Sequence, residues 1–119
     1  MDNYKIIKYE GDEYAIFKIN YKEYSLPIIL DVNDFSVIHK MNKNWRCNAN
    51  GFVSCSHTIN GNTKDVYLHE IVMLLKNKRE KHNNFNKSNI CHINRVGLDN
   101  RSENLMYDNY DKDLNKNSK

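Results

Sequence analysis

The stretch "NICHINRVGLDNRSENLMYD", residues 89–108, decides how the C-terminal half of this chain is read. His92 closes a short apolar run, a loop of Asn, Arg, Gly and Asp follows, and Asn104-Leu105 turns back into apolar residues. That pattern predicts a short strand over 89–93, a polar loop of about ten residues, a second strand over 105–107 and a helix from Asp108. The unit is a hairpin packed on a helix, with His92 on its first strand.

Working outward, "LHEIVMLLK" (68–76) has apolar residues at 68, 71, 72, 74 and 75, the spacing of a buried helix. Residues 77–88 are rich in Asn and Lys, lack an apolar period and read as an exposed loop. Upstream, "NWRCN" (44–48), "FVSCSHT" (52–58) and "KDVYLHE" (64–70) read as strands. They are joined at Ala49-Asn50-Gly51 and Ile59-Asn60-Gly61-Asn62, and Asn-Gly is the strongest short hairpin signal. "DVNDFSVIHK" (31–40) reads as a short helix capped by Asp31, with Val32, Phe35, Val37 and Ile38 as its apolar face. The first third, "YKIIKYE" (4–10), "EYAIFKI" (13–19) and "KEYSLPII" (22–29), is aromatic and β-branched, with turns expected at Gly11-Asp12 and Asn20-Tyr21. Pro27 puts the third strand at a sheet edge or ends it. The expected fold class is α+β, a small mixed single domain over 1–119. Antiparallel strands fill a β-rich part over 1–66, one central helix and the hairpin unit follow over 67–113, and a frayed tail occupies 114–119.

With 119 residues the chain supports one modest core, and its 39% hydrophobic residues, 8 Tyr, 4 Phe and single Trp suffice for it. Trp45 is expected to anchor that core. A mean hydropathy of −0.82 and no apolar run near the ~20 residues of a membrane span argue against a membrane protein. Met1-Asp-Asn-Tyr-Lys does not begin a signal peptide. The expected location is therefore intracellular, in host cytoplasm or nucleus or in a virus-infected cell, and not secreted. Cys47, Cys55 and Cys91 are odd in number and lack a Cys-x-x-Cys pair, so no disulfide framework is expected. A zinc site built from these three with His92 has no recognised ligand spacing. Asn makes up about a sixth of the chain and Lys is also high, the bias of AT-rich coding such as that of a mobile element or giant-virus-like genome.

The net charge of +3 is unevenly placed. Between residues 76 and 101, Lys76, Lys78, Arg79, Lys81, Lys87, Arg95 and Arg101 face only Glu80 and Asp99. Such a patch beside the hairpin fits phosphate contacts. His92 fits the same chemistry, since an imidazole with a pKa near ~6.5 is a ready general base. Asn100 and Asn104 can orient it, Asp99, Asp108, Asp111 and Asp113 offer oxygen ligands, and Arg95 and Arg101 offer phosphate contacts. Those are the components of metal-assisted phosphodiester hydrolysis. The same residues also make an ordinary polar hairpin with a structural histidine, and composition alone favours that reading.

"CHINRVGLDNRSENL" (91–105) resembles the signature of homing-type HNH endonucleases: Asp-His-Ile-Asn, a short loop, Leu-Asp-Asn-Arg, two residues, Asn-Leu. "ILDVNDFSVIHKMNKNWRCNANGFV" (29–53) is similar to the family's leader, and "YLHEIVM" (67–73) to its Leu-His-Arg helix. The resemblance spans roughly residues 29–113. It implies a C-terminal ββα-metal (HNH) unit that binds one divalent ion, usually Mg²⁺ or Mn²⁺, and nicks or cuts double-stranded DNA. It places His92 on the general base, Asn104 on the Asn that orients hairpin and base, and Asp113, with Asp111 as rival, on the helical metal ligand. His69 falls on a family His at the start of a buried helix, where structural and functional roles stay open, and Asn100 is a supporting residue. Arg95, Arg101, Lys78, Arg79 and Lys81 are the expected DNA contacts. His39, His57 and His82 match nothing.

The departure is Cys91, which stands where the family has a metal-binding Asp. Thiolate is a poor ligand for Mg²⁺. The site either takes a softer ion such as Zn²⁺, recruits Asp99 or another carboxylate, or has lost its metal and its activity. Two functions follow: a metal-dependent DNA endonuclease, or a catalytically degenerate HNH-fold protein that binds nucleic acid. Neither involves a membrane or a small-molecule substrate.

Overall fold

The computed structural model describes residues 3–81 and 89–107. Within them eight strands and two helices form a mixed α+β fold. The chain opens with a three-stranded meander, β1 (Tyr4–Tyr9), β2 (Asp12–Tyr21) and β3 (Tyr24–Asp31), paired antiparallel throughout. The first turn sits at Glu10-Gly11, both at positive φ. The second is Lys22-Glu23, two residues later than the sequence reading, because the Tyr21–Tyr24 pair closes the ladder. Alternation along β2 sends Ala15, Phe17 and Ile19 into the core.

Helix α1 (Val32–Met41) follows directly. Asp31 occupies its N-cap position but makes no capping bond. Its carboxylate instead accepts from the Ser102 hydroxyl, 71 residues away. Asn42 ends the helix in the left-handed region, with its N–H donating to the His39 carbonyl at 3.2 Å.

A second antiparallel unit follows: β4 (Arg46–Cys47), β5 (Val53–Ile59) and β6 (Asn62–Tyr67). Strand β4 joins β2 in parallel at Asn20–Arg46, so one sheet runs β1-β2-β4-β5-β6 with β3 on the far edge of β2. Pro27 therefore lies on an edge strand, where its missing N–H costs no ladder bond.

Helix α2 spans Leu68–Arg79 and overturns the loop expected from residue 77. Its buried positions are Leu68, Val72, Met73 and Asn77, a helical period whose last member is polar. The Asn77 amide donates to the Tyr107 hydroxyl, Lys76 Nζ donates to the Ser102 and Leu105 carbonyls at 3.0 and 3.1 Å, and Arg79 pairs with buried Asp34 at 2.6 Å. The last turn of α2 is thus held by polar bonds that a hydropathy pattern does not show. The short hairpin of β7 (Ile90–His92) and β8 (Leu105–Tyr107) packs on this helix.

One apolar cluster joins these pieces: Phe17 and Ile19, Ile28 and Leu30, Phe35 and Ile38, Trp45, Val53, Leu68 and Val72, and Leu105. Trp45 is 3% exposed and anchors the core from the segment before β4 rather than from a strand. Among the described residues no helix is long and apolar enough to cross a membrane. The helix expected from Asp108, the candidate ligands Asp108, Asp111 and Asp113, and Lys87 and His82 lie outside the described residues.

Candidate active site

His92 is the last residue of β7 and is 7% exposed. From there residues 93–104 leave the hairpin as a loop that is braced at three points. First, the loop joins the free edge of β3. The Ile29 N–H donates to the Leu98 carbonyl at 3.1 Å, and the Asn100 N–H donates to the Ile29 carbonyl at 2.8 Å. Second, Asn104 spans the loop from within. Its amide donates to Asn94 Oδ1 and to the Asp99 carbonyl, both at 2.9 Å, and its Oδ1 accepts from the Asn94 N–H at 3.0 Å. Third, Gly97 lies against the 48–52 turn so closely that a Cβ on it would stand 2.0 Å from the Gly51 carbonyl oxygen.

This bracing sets the state of His92. Asn100, fully buried, donates its amide to the Gly97 carbonyl at 3.2 Å, which turns its Oδ1 toward His92 Nε2 at 3.1 Å. An acceptor at Nε2 means that Nε2 carries the hydrogen of the neutral ring, and Nδ1 carries the lone pair. The tautomer is assigned from this hydrogen-bond network. The ring lone pair is thereby assigned to one atom.

Two more rings pack against the imidazole, and a third backs them. Phe52 stacks on it with centroids 5.8 Å apart, and His69 meets it edge-on at 5.2 Å. Tyr67 stacks on His69 at 5.3 Å. Burial, then the neighbouring His92, pushes the His69 pKa down to about 4, so His69 is neutral across the physiological range. Its Nδ1 is buried without a hydrogen-bond partner.

The cations divide into committed and exposed groups. Arg101 forks onto Asp99, with Nε and Nη2 each 2.8 Å from a carboxylate oxygen, and also reaches Glu103 at 2.9 Å. Burial pushes the Asp99 carboxyl up, but the Arg101 fork and the Asn94 amide outweigh it and hold it below the usual range. Both side chains, expected as a phosphate contact and a spare metal ligand, are bound to each other. Arg79 is likewise paired with Asp34. Arg95, Lys78 and Lys81 are exposed, Arg95 at the loop tip in a left-handed conformation (φ 65°). A cavity of about 370 Å³ lies elsewhere, lined by Asp12, Glu13, Asp31 and Glu103 among others, and its acidity disfavours phosphates.

Of the expected metal ligands, Cys91 and Asp99 lie within the described residues, and the Asp99 carboxylate is taken by Arg101. Cys91 is half-buried on β7, opposite Met106. Among the described residues no group of three or more His, Cys, Asp or Glu is arranged to hold a metal. A thiolate alone does not fit Mg²⁺. His57 bonds Lys43 at 3.2 Å, and His39 packs on Tyr4 and Phe35, both apart from the site.

Sequence reading did not assign roles to Phe52, Asn94 or Gly97. Phe52 carries the signal of any strand aromatic, and Gly97 that of any turn glycine. Asn94, by contrast, was findable: an Asn two residues before Val96 fits an Asx turn, and its Oδ1 accepts the Val96 N–H at 2.9 Å. No family model, curated protein or solved structure matches the chain.

Proposed function

We propose that this chain is an HNH-type endonuclease that hydrolyses phosphodiesters of double-stranded DNA with His92 as general base and a divalent metal ion as cofactor. The observation that supports this reading is the Gly97–Asn100–His92 relay, which leaves the imidazole lone pair on Nδ1, where a general base would use it. In the reaction Nδ1 removes a proton from water and the hydroxide attacks phosphorus as the bond to the leaving oxygen breaks. The imidazolium formed keeps its Nε2–H on Asn100 throughout. Asn104 is a positioning residue that holds the loop carrying Asn100, and exposed Arg95 offers a charge for the DNA backbone.

A second reading, binding without cleavage, is favoured by one feature: Asp99, the carboxylate nearest in sequence to replace the lost Asp ligand at Cys91, is committed to Arg101. Nicking of supercoiled plasmid in Mg²⁺, Mn²⁺, Co²⁺ or Zn²⁺, against chelator, separates the two. The nuclease reading expects nicking with at least one ion and its loss in His92→Ala. No nicking with any ion sinks it. Salt-sensitive DNA binding that survives His92→Ala then supports the second reading. Cys91→Asp is the informative variant: a gain of Mg²⁺-dependent nicking identifies a site short of one hard ligand.

A further inference from the structure

His69 is costly where it stands. An apolar side chain in the first turn of α2 would fill the same space without leaving a buried ring nitrogen unpaired, a penalty of the kind native interiors avoid. It is not a proton donor near neutrality, because burial and the His92 ring keep it unprotonated down to about pH 4. Its contacts suggest another role. Phe52 precedes β5, Tyr67 ends β6, His69 lies in the first turn of α2 and His92 ends β7, so rings from three elements and one turn form a single cluster. Phe52 lies nearly parallel to the His92 ring, with 25° between planes, whereas His69 approaches at 77°. A near-parallel ring on one side and a near-perpendicular one on another fix the plane of the imidazole, and within that plane the Asn100 bond selects the flip. Turning the His92 ring over would put a carbon where Nε2 meets Asn100 and bring Nδ1 inward.

We propose that His69 is a positioning residue: with Phe52 it holds the His92 imidazole in the plane in which Nε2 reaches Asn100, so that the bond to Asn100 can keep Nδ1 available as a base. What is required of residue 69 is a flat ring edge, not a titrating group. The proposal rests on the endonuclease reading only for its catalytic consequence, since ring orientation exists with or without activity.

The test is the tautomer of His92, read from long-range ¹H–¹⁵N correlations of the full chain labelled at histidine, at about pH 8, above the ordinary imidazole range. Wild type should show the Nε2–H form almost alone. His69→Phe keeps a ring edge and should preserve it. His69→Leu fills the space without a plane and should raise the minor tautomer about two- to ten-fold, the range that ring pairing supplies. The His39 and His57 signals and a thermal melt report whether each variant is folded. A folded His69→Leu with the wild-type His92 pattern overturns the proposal, as does a folded His69→Phe that loses it. If His69→Leu does not fold, Phe52→Leu decides: it removes the facing ring from outside α2 and must loosen the same tautomer, or the cage is wrong. Failure to nick DNA would sink the endonuclease reading and leave this measurement standing.

Discussion

A methyl group on residue 97 has no room. Its Cβ would lie 2.0 Å from the Gly51 carbonyl oxygen, 2.9 Å from the Gly51 carbonyl carbon and 3.3 Å from Phe52 Cδ1. Real Cβ atoms essentially never come closer than about 3.0 Å to such an atom, so relief requires about 1 Å of backbone movement. Neither side yields easily. The turn is closed by the Asn48 N–H donating to the Phe52 carbonyl at 2.8 Å, and Asn48 Oδ1 accepts from the Asn50 and Phe52 N–H groups. The loop is held by Asn104 and by the edge of β3. Gly97→Ala should therefore cost near the upper end of the overpacking range, about 3 kcal/mol. At about 4 °C per kcal/mol for a chain of this size, the melting temperature should fall by about 12 °C. The damage should reach His92, because the displaced Gly97 carbonyl is what turns the Asn100 amide. Circular-dichroism melts and the His92 tautomer measure the two effects. Gly61→Ala is the control: its Cβ meets nothing, and only the left-handed φ of 81° penalises it, by about 1 kcal/mol, with no change at His92. A Gly97→Ala protein that melts within about 2 °C of wild type with its tautomer intact would refute the bracing argument.

Asn104→Asp should be as destabilising as Asn104→Ala, about 2–3 kcal/mol by urea titration, because a carboxylate cannot donate to Asn94 Oδ1 or to the Asp99 carbonyl. Near-wild-type stability for the Asp variant would show that the amide is oriented otherwise. Stability should also fall as pH drops from about 6.5 toward 4. In that window the unfolded His69 binds a proton and the folded one, with its pKa pushed down to about 4, does not. The shift caps the loss at about 3 kcal/mol, and solvent screening of a partly exposed ring reduces it to about 2; His69→Phe should flatten the curve, and an unchanged pH profile in that variant would count against the buried neutral imidazole. Arg79→Ala strands the buried Asp34 carboxylate, and with the guanidinium itself 42% exposed the expected loss is about 2 kcal/mol in chemical denaturation, much of it restored by adding Asp34→Asn. A double variant no more stable than Arg79→Ala would show that the stranded charge is not the cause. Arg95→Ala should weaken DNA binding and lower the slope of log K against log salt by about 1; an unchanged slope places Arg95 off the DNA.

Where side-chain periodicity alone decides an element, residues declared it. Asn60-Gly61 makes the β5–β6 turn, β8 falls on 105–107, and the Val32, Phe35 and Ile38 spacing becomes α1. Reading failed where a polar residue does the work of an apolar one. The last turn of α2 is invisible to hydropathy because Lys76, Asn77 and Arg79 are satisfied by partners that lie 26, 30 and 45 residues away. Asp31 misled in the same way: its position is that of a cap, and its carboxylate is taken by Ser102.

At the site the same distinction separates counting from geometry. The basic patch was visible as composition, but charge in a sequence is not charge available to a ligand. Arg79 and Arg101 are neutralised by Asp34 and Asp99, which leaves Arg95, Lys78 and Lys81 as the unpaired exposed cations of that group among the described residues. The place of His92 on a short strand was legible from its setting, but its tautomer was not. That property depends on Gly97, chosen for the absence of a Cβ rather than for a turn, acting through the Asn100 amide. Because this relay uses no atom of Cys91, the base and the residue before it are separable. On the endonuclease reading, a substitution at 91 changes the metal preference while the orientation of His92 stays as the loop sets it.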